Sequence, residues 1–161
     1  KVFELSVDGW EDYTATLEPL PQAWMKQAKR RPNSVSLIDT LGDVRYSNAR
    51  VIAGTTAMAR SMKKICREQN VGLMLPASAA GVMANLAVML NGQTAVNLNF
   101  TAGVDSEKAA IRSAGIDTVY TSERFAKKLL SRGLDLDAML AGTDGNGIIP
   151  VMWIRSATSN S

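Results

Sequence analysis

Ser78, Asn97, Asn99 and Thr101 are the side chains whose type and spacing suggest a substrate-binding site. Ser78 ends the turn Pro76-Ala77-Ser78, between an apolar run at 71–75 and an uncharged segment at 79–90. That is the carboxyl end of a predicted strand and the start of a predicted helix. Open α/β sheets collect ligands at such edges, and the free N–H groups of a helix start attract anions. Ser78 could therefore donate to an anionic substrate. A plain helix N-cap accounts for the same residue and is the preferred reading. Asn97, Asn99 and Thr101 close the next apolar run at the same sheet edge. They offer two amides and a hydroxyl to a substrate; the simpler reading has them tie down the loop that follows.

Other chemistry is excluded by what the chain lacks. There is no histidine, which removes the commonest general base, the commonest zinc ligand and any Ser–His or Cys–His nucleophile pair. No catalytic residue and no metal ligand set is assigned. The single cysteine, Cys66, forbids an internal disulfide and fits a reducing compartment. Lys63, Lys64 and Arg67 beside it could lower its pKa, but a half-buried structural thiol is the preferred reading. Asp105 and Glu107 open a predicted helix, where carboxylates suit the dipole; they read as capping residues rather than an acid/base pair. Asp135 and Asp137 read as solvated. The formal net charge is +3, with cations grouped as Lys26, Lys29, Arg30, Arg31 and as Arg60, Lys63, Lys64, Arg67. Interleaved aromatics and recognisable modules are missing, so nucleic acid is not an expected partner. A solvated helix face is expected, with attraction to an acidic partner or anionic membrane surface as the weaker option.

These residues need elements to place them. Residues 1–20 give no clear pattern. Pro19 and Pro21 precede a helix over 22–30. SVSLID at 34–39 alternates like a strand, 41–43 reads as a tight turn, and 44–47 as the returning strand. Ser47 or Asn48 caps a helix over 49–69, whose apolar positions recur at helical spacing. From 70 onward the rhythm is strand, helix, strand: strands at 71–75, 94–99 and 117–122, helices at 79–91, 105–114 and 123–131. Such alternation implies right-handed parallel crossovers. The predicted fold class is α/β, an open and mainly parallel sheet with flanking helices plus an N-terminal β-hairpin. The predicted organisation is an N-terminal extension and helix at 1–33, an α/β subdomain at 34–141, and a loop, a further strand at 148–154 and a polar tail within 142–161. Eight methionines mostly fall at core spacing. No run is long enough to span a membrane and no signal peptide opens the chain. The first residue is Lys1, and the expectation is a piece of a longer protein.

The helix at 79–91 is unusual because it carries no charge and only Asn85 and Asn91 are polar late in it. A helix apolar all round is buried all round. Leaving such side chains wet would forgo about 1.5–3 kcal/mol each. The sheet covers one side, so the pattern demands a second cover. The expectation is that the missing remainder of a domain, or a homodimer partner, packs on 79–91.

The stretch SLIDTLGDVRYSNARVIAGTTAMARSMKK resembles the opening of the adenylate-forming enzymes, the acyl-CoA and acyl-acyl-carrier-protein synthetases and their relatives. VGLMLPASAAGVMANLAVMLNGQTAVNLNFT is similar to a following family stretch, V-x-L-x-L-P-N-S…A-G…L-N, and 105–122 to a third. The wording VNLNFT looks most like the synthetase half of bifunctional 2-acylglycerophosphoethanolamine acyltransferases. The resemblance spans about residues 20–130. It implies a domain in which two sheets sandwich a helical layer, which would supply the second cover. It also implies a parent enzyme that uses ATP and Mg to activate a fatty acid as acyl-adenylate. The acyl group then passes to acyl carrier protein or CoA, and in one subtype on to a lysophospholipid. A cytoplasmic location follows, with membrane association as an alternative for the parent. The Ser/Thr/Gly-rich loop ending in P-K-G, the ribose-binding Asp and the catalytic Lys of that family match no residue here, so neither ATP nor Mg is expected to bind this chain alone. The rival reading is a non-catalytic α/β binding or dimerisation module.

Overall fold

The computed structural model describes residues 2–40, 42–136 and 151–153; the expected loop at 142–147, Asp137 and the tail at 156–161 lie outside them. The unassigned N-terminus forms α1 (Val2–Ala15). The second helix, α2 (Leu20–Arg30), starts two residues before its predicted bound, because Pro19 is its N-cap and Pro21 falls within its first turn, where a missing N–H costs nothing. The hairpin is β1 (Val35–Asp39) and β2 (Val44–Ser47), antiparallel, with Ile38 facing Arg45 and Asp39 facing Val44.

Ser47 caps α3 (Asn48–Ile65), accepting from the Arg50 N–H. This helix stops four residues short of the predicted bound. Cys66 leaves helical geometry and the chain extends toward β3 (Asn70–Leu73), where the Gln69 carbonyl already accepts from Thr94 N–H at 2.8 Å. Arg67 consequently lies beyond the helix rather than on its basic face. α4 (Ala79–Leu90), β4 (Thr94–Asn97), α5 (Val104–Ala114), β5 (Val119–Thr121) and α6 (Glu123–Leu130) follow, and β6 (Val151–Trp153) adds a last strand.

The main sheet has the order β4-β3-β5-β6 and every pairing in it is parallel. The fold class is therefore the one predicted: an open parallel α/β sheet with flanking helices and a separate antiparallel hairpin. Side chains alternate across the pleat, so the sheet has a core on each face. Val119 packs with Met74, Ile111, Phe125 and Leu129 on the α5/α6 side. Tyr120, Val71 and Leu73 pack with Met62, Ala84, Ala87 and Val88 on the α3/α4 side.

The prediction that this chain builds only one wall around α4 needs correcting. α3 forms a second wall, and α2 and the hairpin close over the helix start with Val51, Trp24, Leu37 and Tyr46 around Ala79 and Met83. The two helices approach closely because Gly54 faces Met83: a Cβ at 54 would sit 2.5 Å from its Sδ. Asn91 locks the far end, donating to the Ala59 carbonyl at 2.9 Å. Seven residues of α4 are buried within this chain. Small residues on α3 make this possible, and periodicity alone could not assign that face to a helix rather than the sheet. What stays uncovered is a narrow flank, marked by Val82 at 42% exposure.

Candidate functional site

The uncovered flank of α4 is one side of an open cleft of about 680 Å³. Val82, Asn85, Leu86 and Met89 of α4 line it, with Leu20 and Trp24 of α2 and Ser36 and Leu37 of β1 opposite. The turn Leu75–Ser78 and Asn97 complete it. The lining is mostly apolar with a few polar groups, the usual character of a small-molecule site, and its volume lies inside the usual range of about 300–1,000 Å³.

Of the four sequence-derived candidates, Ser78 and Asn97 line this cleft. The Ser78 hydroxyl accepts from the Gly81 N–H at 3.3 Å and donates to the Pro76 carbonyl at 3.2 Å. It caps α4 and braces its own turn. Gly81 is required here, since a Cβ would meet the Pro76 carbonyl oxygen at 2.9 Å. Asn97 forms a closed amide pair with Asn85: Asn97 Nδ2 donates to Asn85 Oδ1 at 2.8 Å, and Asn85 Nδ2 donates back at 3.1 Å. Asn85 also donates to the Gly81 carbonyl at 2.9 Å, so this network runs from the end of β4 to the start of α4.

Asn99 and Thr101 do not reach the cleft lining. The Asn99 side-chain oxygen accepts from both the Thr101 N–H at 3.2 Å and the Thr101 hydroxyl at 2.7 Å. The pair organises the exposed turn that leads into α5. Glu107 departs from its expected capping role. It is 2% exposed, one carboxylate oxygen has no hydrogen-bond partner, and the Asn99 backbone N–H is the group that holds its ionised form. Burial outweighs that hydrogen bond and raises its pKa above the usual carboxylate value.

One site residue carried no recognised signal. Asp39, at the end of β1, accepts from the Ala79 N–H at 2.8 Å. It thereby places a carboxylate on the start of α4, 40 residues away in sequence. That position is where an anion would otherwise bind. Asp39 and Ser78 thus take two of the N–H groups that the helix start leaves open. Among the described residues no group of three or more His, Cys, Asp or Glu side chains could hold a metal ion.

Cys66 lies at the opposite edge of the sheet. It is buried, its thiol donates to Glu68 Oε2 at 2.6 Å, and Gln93 Nε2 approaches the sulfur at 3.7 Å. Burial, then the hydrogen bond to Glu68, pushes the thiol pKa up, the reverse of the lowering that the neighbouring cations suggested. The Cys66 hydrogen bond in turn holds the Glu68 carboxyl below its usual value. Tyr120, close by, is pushed up to about 12, first by burial and then by these two groups. These residues form a structural knot.

No family model matches the chain. Solved structures do match its fold. The inhibitor-bound N-terminal domain of FACL13 from Mycobacterium tuberculosis superposes with a TM-score of 0.67 at 16% identity, over 86% of this chain and 34% of that one. O-succinylbenzoate coenzyme A synthetase (MenE) from Bacillus subtilis, in complex with AMP, gives 0.56 at 23% identity, over 72% and 32%. The amide bond synthetase McbA from Marinactinospora thermotolerans gives 0.63 at 15% identity, over 86% and 26%. Nonribosomal peptide synthetases are among the other neighbours, one bound to alpha-methyl-L-serine-AMP and one to AMP and glycine. The chain thus spans about a third or less of the length of the structures it matches. At these identities the likeness is one of fold, and the fold is that of part of the N-terminal domain of adenylate-forming enzymes.

Proposed function

We propose that this chain is the N-terminal subdomain of an ATP-dependent acyl-activating enzyme. The observation that carries the reading is the match in fold over 86% of the chain, at a TM-score of 0.67. The motifs of 36–64, 71–101 and 105–122 support the same reading in the same order. The parent reaction joins a fatty-acid carboxylate to the adenylyl group of ATP with release of pyrophosphate, and then passes the acyl group to the thiol of acyl carrier protein or CoA with release of AMP. The acyl-acyl-carrier-protein synthetase subtype, with onward transfer to a lysophospholipid, rests on the VNLNFT wording alone. A cytoplasmic setting fits that chemistry; among the described residues no helix is long and apolar enough to cross a membrane.

In this reading ATP and Mg belong to other parts of the parent, since the sequence has no P-K-G loop. This chain contributes the cleft wall. Asn97, held by Asn85, and Ser78 form the polar end of a largely apolar surface, against which an acyl substrate or the rest of the domain packs. Asn99 and Thr101 shape the adjoining turn. Taken alone, the chain is expected to be inactive.

The test is fatty-acid-dependent ATP–pyrophosphate exchange by the full-length protein, across a range of acyl lengths. Exchange with at least one fatty acid is expected. No exchange with any carboxylate would overturn acyl activation and favour the module reading.

A further inference from the structure

Asn91-Gly92 is one of two Asn-Gly pairs in the chain, the other being Asn146-Gly147. This dipeptide carries its own chemistry. The backbone nitrogen that follows an asparagine can attack the side-chain carbonyl carbon and close an imide ring. Glycine permits this most freely, because no Cβ crowds the closing ring. Asn91-Gly92 lies where α4 ends: Asn91 is the C-cap, and Gly92 takes a left-handed φ of 77°. Gly92 is exposed and Asn91 half-buried, so water reaches the pair.

The fold holds both reactants out of reach of each other. Asn91 Nδ2 donates to the Ala59 carbonyl of α3 at 2.9 Å, which fixes the side chain against the neighbouring helix. The Gly92 N–H donates to the Met89 carbonyl at 3.1 Å. The Asn91 backbone N–H is held by the Ala87 and Val88 carbonyls at 3.2 and 3.1 Å. Ring closure requires the Gly92 nitrogen to eclipse the Asn91 Cβ about the Cα–C bond. At a tetrahedral Cα that is a large rotation from the observed ψ of −1°. It carries the Gly92 nitrogen off the Met89 carbonyl.

We propose that Asn91 is a conditional deamidation site, closed while α4 is seated on α3 and opened when the last turn of α4 frays. The step needs only water. Hydroxide takes the Gly92 N–H proton, and the nitrogen forms a bond to Asn91 Cγ. The side-chain nitrogen takes a proton from water and leaves as ammonia, which restores the hydroxide. Water then opens the imide at either carbonyl, giving aspartate or an isoaspartate whose main chain runs through the former side chain. The product keeps the site open. Aspartate has no N–H for the Ala59 carbonyl and turns a carboxylate oxygen toward it. It also places an anion at the negative end of the α4 dipole. Isoaspartate lengthens the main chain at the cap. Modification therefore promotes the opening that allowed it. The inference does not depend on the acyl-activating reading.

The test is mass-spectrometric peptide mapping of the protein held at pH 8, native and in urea, with Asn146-Gly147 as the internal clock. In urea the two sites are expected to deamidate at rates within about threefold of each other. In the native protein Asn91 is expected to react at least tenfold more slowly than in urea, because it reacts only from the locally opened state. Gly54→Val should raise the native rate at least threefold: its side chain presses on Met83, loosening α3 from α4 without touching Asn91. Far-ultraviolet circular dichroism confirms that this variant is folded. Asn91→Asp should unfold at a lower urea concentration than the unaltered protein. Equal native and urea rates overturn the proposal, as does an Asn91 that stays intact in urea while Asn146 reacts. A folded Gly54→Val with an unchanged native rate removes α3 as the gate. An unchanged Asn91→Asp midpoint overturns the self-promoting step.

Discussion

The carboxylate of Asp39 and the backbone N–H of Ala79 meet at 2.8 Å across 40 residues of chain. This one contact pins the hairpin to the start of α4 and so sets the width of the cleft between β1 and that helix. It also satisfies one of the N–H groups that a helix start leaves open. Ser78 satisfies another from within the turn. The two caps work on successive parts of the same helix end, one local and one long-range.

Asp39→Ala should lower stability by about 1–2 kcal/mol, the range for losing a helix-capping acceptor. Asp39→Asn keeps an acceptor but loses the favourable charge at the dipole, and should cost roughly half as much. Urea unfolding of both variants checks this. Equal midpoints for Asp39→Ala and the unaltered protein would show that the contact contributes nothing.

The Asn85–Asn97 pair should show coupling in a double-mutant cycle. Each amide both donates and accepts; removing Asn85 strands both polar groups of Asn97, while removing Asn97 strands the Asn85 oxygen and leaves its amide N–H group on the Gly81 carbonyl. Asn97 is exposed, and water replaces part of what is lost. The expected coupling between Asn85→Ala and Asn97→Ala is about 0.5–1 kcal/mol. Strictly additive effects would mean that the two amides act independently.

The parallel sheet was legible because strand–turn–helix signals repeat: Ser78, Ser122 and Gly115 all punctuate the chain where the pattern places them. Ser78 and Asn97 were legible as cleft residues because both lie at one edge of a parallel sheet, which chain order alone fixes. Asp39 was not, since its partner is set by how the hairpin folds back, a long-range relation with no local trace. The second wall of α4 was missed for a similar reason. Gly54 and Ala59 let α3 approach α4 in the fold, and helical spacing marks a buried face without saying which element covers it. Glu107 was read from its place in the first turn, where dipole logic applies to exposed carboxylates. Its burial depends on how the 99–101 turn covers α5.

Cys66 should resist modification in the folded protein. Its thiolate is disfavoured by burial and by the neighbouring Glu68 charge. Alkylation at pH 8 should be at least tenfold slower than in urea. Glu68→Gln removes the charge while leaving an acceptor, and should speed native alkylation. Rapid labelling of the native chain, at the unfolded rate, would contradict the buried knot.

Glu107 makes the clearest pH prediction. Its carboxyl has a raised pKa in the fold, caused first by burial and only partly offset by the Asn99 N–H. Between the unfolded and folded pKa values the native state holds the proton more often than the unfolded chain does. Stability from this group therefore rises as pH falls through the folded pKa, and levels off below the unfolded value. Above the folded pKa an ionised carboxylate sits in the core with one oxygen unpaired. Glu107→Gln removes that charge and should stabilise the protein at pH 7–8 by about 1 kcal/mol, the lower end of the cost of an unsatisfied buried polar group. The gain should shrink toward pH 4, where the native glutamate is itself neutral. Thermal unfolding of both proteins from pH 4 to pH 8 measures the difference. A gap that widens at low pH would reverse the sign and place the charged form, not the neutral one, as the state the fold prefers.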